Sequence, residues 1–548
     1  MKTIAILDAD LDETPLGTRS RLAQPLAEVP ILTRTVQRLL RCQQVAEVVL
    51  TFPQAQAPAV EALLSGTKVT LHPRPVGAPP YRSLVRTARK WSLNAWRGGL
   101  GGSNSFDEYF DVQGCATLAA EHQAHAVMTL QPGAALLDPV LADAMVKHAE
   151  RHAEEVRMTF AQAPPGLVPT ILQTALCQEL ATNRVPPGWT LAYKPETPAL
   201  DLAFKPCCFG VSGPIRHSSG RLTADTSRSI RAMEALIEAG ADGDAESVAR
   251  WLLEREASTP EPLPREVEIE LTTEDPIPET PLRPRGAQVP PRGPIDLGHV
   301  QRLAAELAAE DDSLVVVGGH GDPVLHAQFG EVLTCLRDAG VYGIAVYTTG
   351  QSLSNEAIEA IVAARIDVVV FQIDAWSDAT YERLTGGAQL ATVKEAMNRL
   401  IQARQEAGQT EPIIVPQITK CTENVEELDA FFDGWMQLQG CATVRGFSTF
   451  GGQSRVGGRL RDLSVVDMTP PTRTPCQRVM SRCVVLADGS VVPCDQDFTG
   501  QLLLGHLGKQ TLQEVWSGAR AECLRHNHAQ GHADTELLCG PCAEWHRP

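Results

Sequence analysis

The sequence predicts an α/β protein in which an alternating α/β domain leads into a partial (β/α) TIM-type barrel and then into a small cysteine-rich domain. Three observations predict this. Short β-rich runs alternate with helix-patterned stretches over most of the chain, a proline-rich break interrupts the alternation near the middle, and the C-terminal part loses periodicity while gaining cysteine. A chain of 548 residues is too long for one hydrophobic core, so the division is also expected from size.

The first domain is expected over residues 1–240. Its strands are Thr3–Leu7, Val45–Thr51, Ala126–Leu130 and Arg157–Gln162, and its clearest helices are Ile31–Arg41 and Pro139–Arg151. Between Arg74 and Phe110 runs a Gly- and Pro-rich excursion of the kind that forms lids, partner surfaces or disorder. Its cations Arg82, Arg86, Arg89, Lys90 and Arg97, interleaved with Trp91 and Trp96, read as a solvated loop with one amphipathic helix.

A linker is expected over 241–264, where STPEPLP carries three prolines and no apolar period. The barrel follows over 265–445. Its strands are Val267–Thr272, Ser313–Gly319, Gly343–Gly350, Asp367–Asp374 and Pro412–Thr419, alternating with helices Ile295–Ala309, Val324–Ala339, Asn355–Ala364, Thr392–Ala407 and Val425–Leu438. Successive strand–helix units of this kind build a parallel barrel or part of one. The last domain, 446–548, has too little apolar surface to hold itself together and is expected to need a metal.

Composition narrows the function. With 43% hydrophobic and 21% charged residues, and no apolar run long enough to cross a bilayer, no membrane association is expected. The opening MKTIAILDADLD lacks the longer apolar region and cleavage site of a signal peptide and reads as a first strand, which points to the cytoplasm. There the 14 cysteines are expected as free thiols or metal ligands. A formal net charge of −18 argues against a general nucleic-acid binder.

Cys539 and Cys542 form a C-x-x-C pair, with Cys476 and Cys494 upstream and Cys494 closing the turn ADGSVVPC. A C-x-x-C loop points two thiolates at one centre, and two distant cysteines complete a tetrahedral set suited to zinc or an iron-sulfur cluster. Cys483, in the apolar run RCVVLADG, reads as a buried strand residue, and Cys523 as a non-ligand. His148 and His152 lie one helical turn apart, but Ala149 stands where H-E-x-x-H needs Glu; with His526, His528 and His532 they read as solvated surface residues.

The segment TPCQRVMSRCVVLADGSVVPCDQDFTGQLLLGHLGKQTLQEVWSG followed by CGPCAEW resembles a SPASM-type domain. The resemblance implies an auxiliary 4Fe-4S cluster ligated by Cys476, Cys494, Cys539 and Cys542; zinc in the same cage is the alternative, because sequence does not separate the metals. SPASM domains follow radical SAM barrels, and the middle of the chain resembles one. Gly319-His320-Gly321-Asp322-Pro323 resembles the Gly-rich turn that meets the amino-acid part of S-adenosylmethionine, with Asp for Glu. Thr348-Thr349-Gly350 resembles the next strand end, and FQIDAWSDATYERLTGG places Asp374 at another. Gly319, Gly321, Asp322 and Asp374 are therefore expected to form a vestigial S-adenosylmethionine site.

The departure from that family follows the first strand, where VEIELTTEDPIPETPLRPRG replaces the C-x-x-x-C-x-x-C triplet. No cysteine lies between Cys208 and Cys335. Without three thiolates the catalytic cluster has no ligands, so standard radical chemistry and S-adenosylmethionine binding are not expected.

The stretch IAILDADLDETPLGTRSRLAQPLAEVPILTRTVQRLL resembles the start of a cytidylyltransferase-type nucleotidyltransferase domain. The resemblance implies a vestigial nucleotide site at Gly17, Arg19 and Arg21, with Gln24 or Pro25 where a phosphate-binding Lys would stand. VMTLQPGAALLDPVLADAMVKHAER resembles the strand and helix of its metal-binding turn, but Ala134 follows Gly133 where an Asp would bind magnesium. Asp138 reads instead as a helix N-cap before Pro139.

These readings converge on an iron-sulfur-binding radical SAM/SPASM-like protein, catalytically altered in its barrel, with a binding or scaffolding role in a peptide or sugar modification pathway. Its partner would be a peptide or a nucleotide-sugar-related molecule. The alternatives are an active enzyme and a zinc-stabilised interaction protein. The enzyme would be a nucleotidyl- or glycosyl-transferase, or an atypical radical SAM enzyme drawing on Glu274, Asp275 and Glu279 in the altered loop.

Overall fold

The computed structural model describes residues 1–547 apart from 75–78, 80, 184–185, 191, 197–201, 257–260, 454–462 and 466–468, and leaves out the side chains of 183, 190, 203 and 256. The chain forms two compact units, Met1–Glu256 and Ala257–Pro548. Helix Ala245–Glu256 closes the first unit. The span 241–264, expected as a linker, is thus helical for much of its length, because AESVARWLLERE carries an apolar face that packs Val248, Ala249 and Leu252 into the core. Its residues 257–260 lie outside the described residues.

In the first unit a seven-stranded sheet is built from β1 (Thr3–Asp8), β2 (Glu47–Pro53), β3 (Thr70–Arg74), β4 (Ala126–Thr129), β5 (Met158–Ala161), β6 (Thr170–Gln173) and β7 (Cys208–Phe209), in the order β3-β2-β1-β4-β6-β5-β7. The central β1 reads as a continuous apolar run because it pairs in parallel with β2 and β4 and is covered on both faces. Helix α1 (Ile31–Leu39) buries Ile31, Leu32, Val36 and Leu39. Helix α2 (Pro139–Arg151) starts on Asp138, whose carboxylate accepts from Val140 N at 2.8 Å and Leu141 N at 3.1 Å, as expected of an N-cap.

The excursion after β3 departs from its reading as a solvated loop. Arg89 is fully buried and donates from Nε to Glu108 at 2.8 Å. Arg221 reaches the same carboxylate at 2.7 Å and also pairs with Asp225. Trp96 stacks on Phe160 with centroids 5.1 Å apart. Arg89 is turned inward because Glu108 satisfies it, the condition under which arginine is buried, while Arg82 and Arg86 pair with Asp8 and Glu13 and Arg97 is exposed.

The second unit carries strands β8 (Glu266–Glu270), β9 (Leu314–Gly318), β10 (Gly343–Thr348), β11 (Val368–Gln372), β12 (Ile413–Lys420) and β13 (Thr443–Gly446), paired in parallel in chain order. Helices Leu297–Leu307, Phe329–Asp338, Asn355–Ala363, Leu390–Glu406 and Leu428–Gln439 fill the crossovers. The helix expected from Val324 begins only at Phe329, because Pro323–Leu325 is a separate short turn. Beyond β8 the sheet continues with β14 (Arg482–Val485), parallel to β8, and then with β15 (Ser490–Val492) and β16 (Gly505–His506), both antiparallel.

The strands of the C-terminal residues join the barrel sheet. They extend the barrel sheet on the side of its first strand, with Cys483 opposite Val267. That pairing covers a strand edge that would otherwise be open and explains why Cys483 is buried. No helix among the described residues is long and apolar enough to cross a membrane.

Candidate metal centre

The four expected ligands come from three places in the second unit. Cys476 precedes the short helix Gln477–Ser481. Cys494 follows β15, after a turn in which Gly489 has φ +87°. Cys539 and Cys542 face each other across a tight turn, with Cys542 N donating to Cys539 O at 3.2 Å. All four are free thiols, and Cys476 and Cys539 are only 7% and 6% exposed.

Cys476 acts electrostatically on each of the other three thiols. Burial pushes the Cys494 thiol well above its usual range, with Asp495 and Cys476 adding to the effect. Burial lifts Cys539 to about 12, with Cys476 and Cys542 adding. The Cys542 thiol is raised by burial and further by Cys476, although Glu544 N donates to its sulfur at 3.3 Å. Thiols held this way are protonated, and binding a metal through them would release their protons.

Buried donors around these cysteines lack acceptors. Arg478 Nε, Arg473 Nε and His528 Nε2 have no hydrogen-bond partner among the described residues. His528 Nδ1 accepts from Cys476 N at 3.5 Å, which leaves its proton on Nε2. The histidine is 2% exposed and so is not the solvated residue expected. Unpaired buried donors are costly, and an electron-rich sulfide cluster is a group that would accept from them. The donor set fits an iron-sulfur cluster. Among the described residues no three His, Cys, Asp or Glu side chains are spaced to hold a single metal ion.

The strand ends of the barrel hold the other expected residues. Gly319 has φ +92°, and its N donates to Glu268 at 2.9 Å. A Cβ on Gly321 would lie 2.3 Å from Thr272 O, so only glycine fits against the altered loop. Asp322 accepts from Thr349 Oγ1 at 2.6 Å, Thr348 Oγ1 at 2.9 Å and Thr349 N at 3.0 Å. Its oxygens are thus engaged within the fold. Asp374 accepts from Thr419 N at 2.7 Å and from Arg283.

Arg283 belongs to the loop after β8, and its neighbour Arg285 pairs with Asp275 and donates to Gln372. Arg292 reaches Glu270 at 3.0 Å. Three arginines of one loop thus turn toward buried acids of the barrel. Sequence reasoning missed all three, although the run PLRPRG was a signal for Arg283 and Arg285. Glu274 and Glu279 are exposed and are not brought together with the buried Asp275 side chain.

In the first unit a cleft of about 390 Å³ opens where β1 and β4 end, between Asp8, Asp10, Glu13, Arg74, Arg82 and Asp225. Arg74 and Arg82 pair with Asp8 at 2.6 and 3.4 Å. The expected nucleotide residues are arranged differently. Gly17 has φ +84° and abuts the Arg86 guanidinium, Arg19 is exposed, and Arg21 donates to Ser227 Oγ at 2.9 Å. The cations lining this cleft, Arg74 and Arg82, come from the end of β3 and the start of the following helix. His148 and His152 pack ring to ring at 4.5 Å, and His148 Nε2 is 2.7 Å from Pro206 O.

Residues 476–543 match the SPASM family model, an iron-sulfur cluster-binding domain. The four cysteines thus lie within the stretch that matches this model, and that stretch joins an open parallel (β/α) sheet. An uncharacterized protein of Treponema pallidum (strain Nichols) is 26% identical over 239 residues, 41% of this chain and 62% of its own length. An S-adenosyl-L-methionine-dependent 2-deoxy-scyllo-inosamine dehydrogenase of Niallia circulans is 28% identical over 67 residues, 12% of this chain and 27% of its own. The chain thus spans 62% and 27% of the curated relatives it matches. The solved structure of Streptococcus suis SuiB bound to S-adenosylmethionine is similar over 54% of this chain and 78% of its own, at 13% identity and a TM-score of 0.40.

Proposed function

We propose that the chain carries a 4Fe-4S cluster on Cys476, Cys494, Cys539 and Cys542, and that its barrel binds a partner without cleaving S-adenosylmethionine. It would act as a cytoplasmic binding or scaffolding protein in a peptide or sugar modification pathway. When bound, the cluster supplies one-electron transfer or a structural clamp. The observation that carries the second half is the pairing of Arg283 with Asp374 and of Arg285 with Asp275. Arginines paired with acids stand in the loop where three thiolates would be needed, and a guanidinium does not ligate iron.

The pathway assignment rests on the SPASM match and on the printed activity of the Niallia circulans relative, which handles a sugar-derived amine. The domain boundaries 1–240, 265–445 and 446–548 stay part of this proposal, with the last two sharing one sheet. Calorimetry with S-adenosylmethionine tests the reading on anaerobically purified protein. No heat at ligand concentrations up to about 1 mM, a weak-binding limit, is expected, and micromolar binding would overturn it.

A second reading has one observation in its favour. The cleft around Asp8, Arg74 and Arg82 lies at the carboxyl ends of parallel strands, where ligands of open α/β sheets bind. It supports a nucleotide-handling activity of the first unit, and titration with CTP separates the two readings.

A further inference from the structure

Asp495 follows directly on the ligand Cys494 and lies between two arginines. Its carboxylate accepts from Arg478 at 2.6 Å on one oxygen and from Arg445, on β13, at 2.7 Å on the other. Arg478 stands two residues after Cys476, and its side chain is 7% exposed. Its Nη1 is used by Asp495 while its Nε has no partner among the described residues. The same guanidinium acts electrostatically on Cys494, Cys476 and Glu544. A second cation, Arg473, donates to the main-chain oxygens of Cys539 at 2.8 Å and Gly540 at 3.3 Å and lies over Trp545, so two of its donors are taken by main chain and it is not clamped by a carboxylate beside a ligand.

We propose that Arg478, clamped by Asp495, is the residue that sets the reduction potential of the cluster held by Cys476, Cys494, Cys539 and Cys542. The inference rests on the cluster reading above and goes beyond it. Reduction adds one electron to a group already carrying four thiolates, so the reduced form is the more anionic one. A fixed positive charge in a water-poor site stabilises that form more than the oxidised one and raises the potential. Asp495 acts in the opposite sense as a charge but holds Arg478 in place. Arg445 then balances Asp495, so that Arg478 is left with an unshared Nε–H toward its surroundings.

The test is a potentiometric titration of the full chain, purified anaerobically with its cluster, reduced by dithionite through mediators and followed by electron paramagnetic resonance. Arg478→Gln should move the midpoint to more negative values by at least a tenfold change in the oxidised-to-reduced ratio at fixed potential, about 59 mV for one electron. Arg478→Lys should recover most of the shift, because it keeps the charge. Asp495→Asn should move the midpoint the other way. This second variant answers the question if Arg478→Gln fails to fold or load.

Iron and sulfide analysis of each protein separates the possible failures. An unmodified chain without iron and sulfide sinks the cluster reading and this inference with it. Fully loaded variants whose midpoints equal that of the unmodified chain overturn this inference alone.

Discussion

Arg283 donates to the Asp374 carboxylate at the carboxyl end of β11, from the loop that follows β8. Both side chains are nearly buried, at 12% and 10% exposure. Asp374 also has a positive φ of 61° and accepts from Thr419 N at 2.7 Å. The acid at this strand end is thus paired within the chain.

Arg283→Ala leaves that carboxylate buried without its counter-charge, and the expected loss is about 3 kcal/mol. Combining Arg283→Met with Asp374→Leu removes both charges and should recover most of that stability, as measured by urea unfolding. A double variant no more stable than Arg283→Ala would mean that the pair is not what holds the loop.

Asp322 ties the turn after β9 to the end of β10 through Thr348 and Thr349. Asp322→Ala strands two hydroxyls and one backbone N–H and should cost about 3 kcal/mol. Hydrogen exchange should show faster opening of Thr349 N and Gly350 N, with strand Thr3–Asp8 of the first unit unaffected. Equal acceleration in both units would contradict the local role.

In the first unit Glu108 is fully buried between Arg89 and Arg221 and also accepts from Gln131 at 2.9 Å. Glu108→Gln leaves two guanidinia short of charge and should destabilise this unit by about 3 kcal/mol. Scanning calorimetry is expected to show the transition of residues 1–256 moving down while the other stays in place.

His320 stands in the barrel motif, 7% exposed, with Phe498 5.6 Å away and Phe450 6.0 Å away. Burial lowers its pKa from 6.5 to about 4. Between those values the unfolded chain binds the extra proton, so this contribution is present above about pH 6.5 and is lost as pH falls toward 4. The size is about 3 kcal/mol at most. His320→Gln should flatten the decline of the unfolding midpoint over that window, and an unchanged slope would rule the residue out.

What could be read from the chain depended on whether a feature is local. The apolar run VEIELT announces a strand, and β8 lies there. RCVVLADG likewise announces β14, but periodicity carries no information on partners, so its parallel pairing with β8 was not legible. The cysteines were legible because thiolate chemistry restricts spacing. Arg89 was read as solvated because its burial depends on Glu108, delivered by a later segment. Arg19 and Arg21 were assigned to a phosphate cradle by position, while the orientation of Arg21 is set by Ser227 from a distant helix.

The most direct test of the central claim is electron paramagnetic resonance of the anaerobically purified, dithionite-reduced chain, with iron and sulfide counted on the same sample. The account predicts about four irons and four sulfides per chain, from one cluster, and a single spectrum that S-adenosylmethionine leaves unchanged. A second signal that shifts when S-adenosylmethionine is added, or a colourless protein with one zinc per chain, would contradict it.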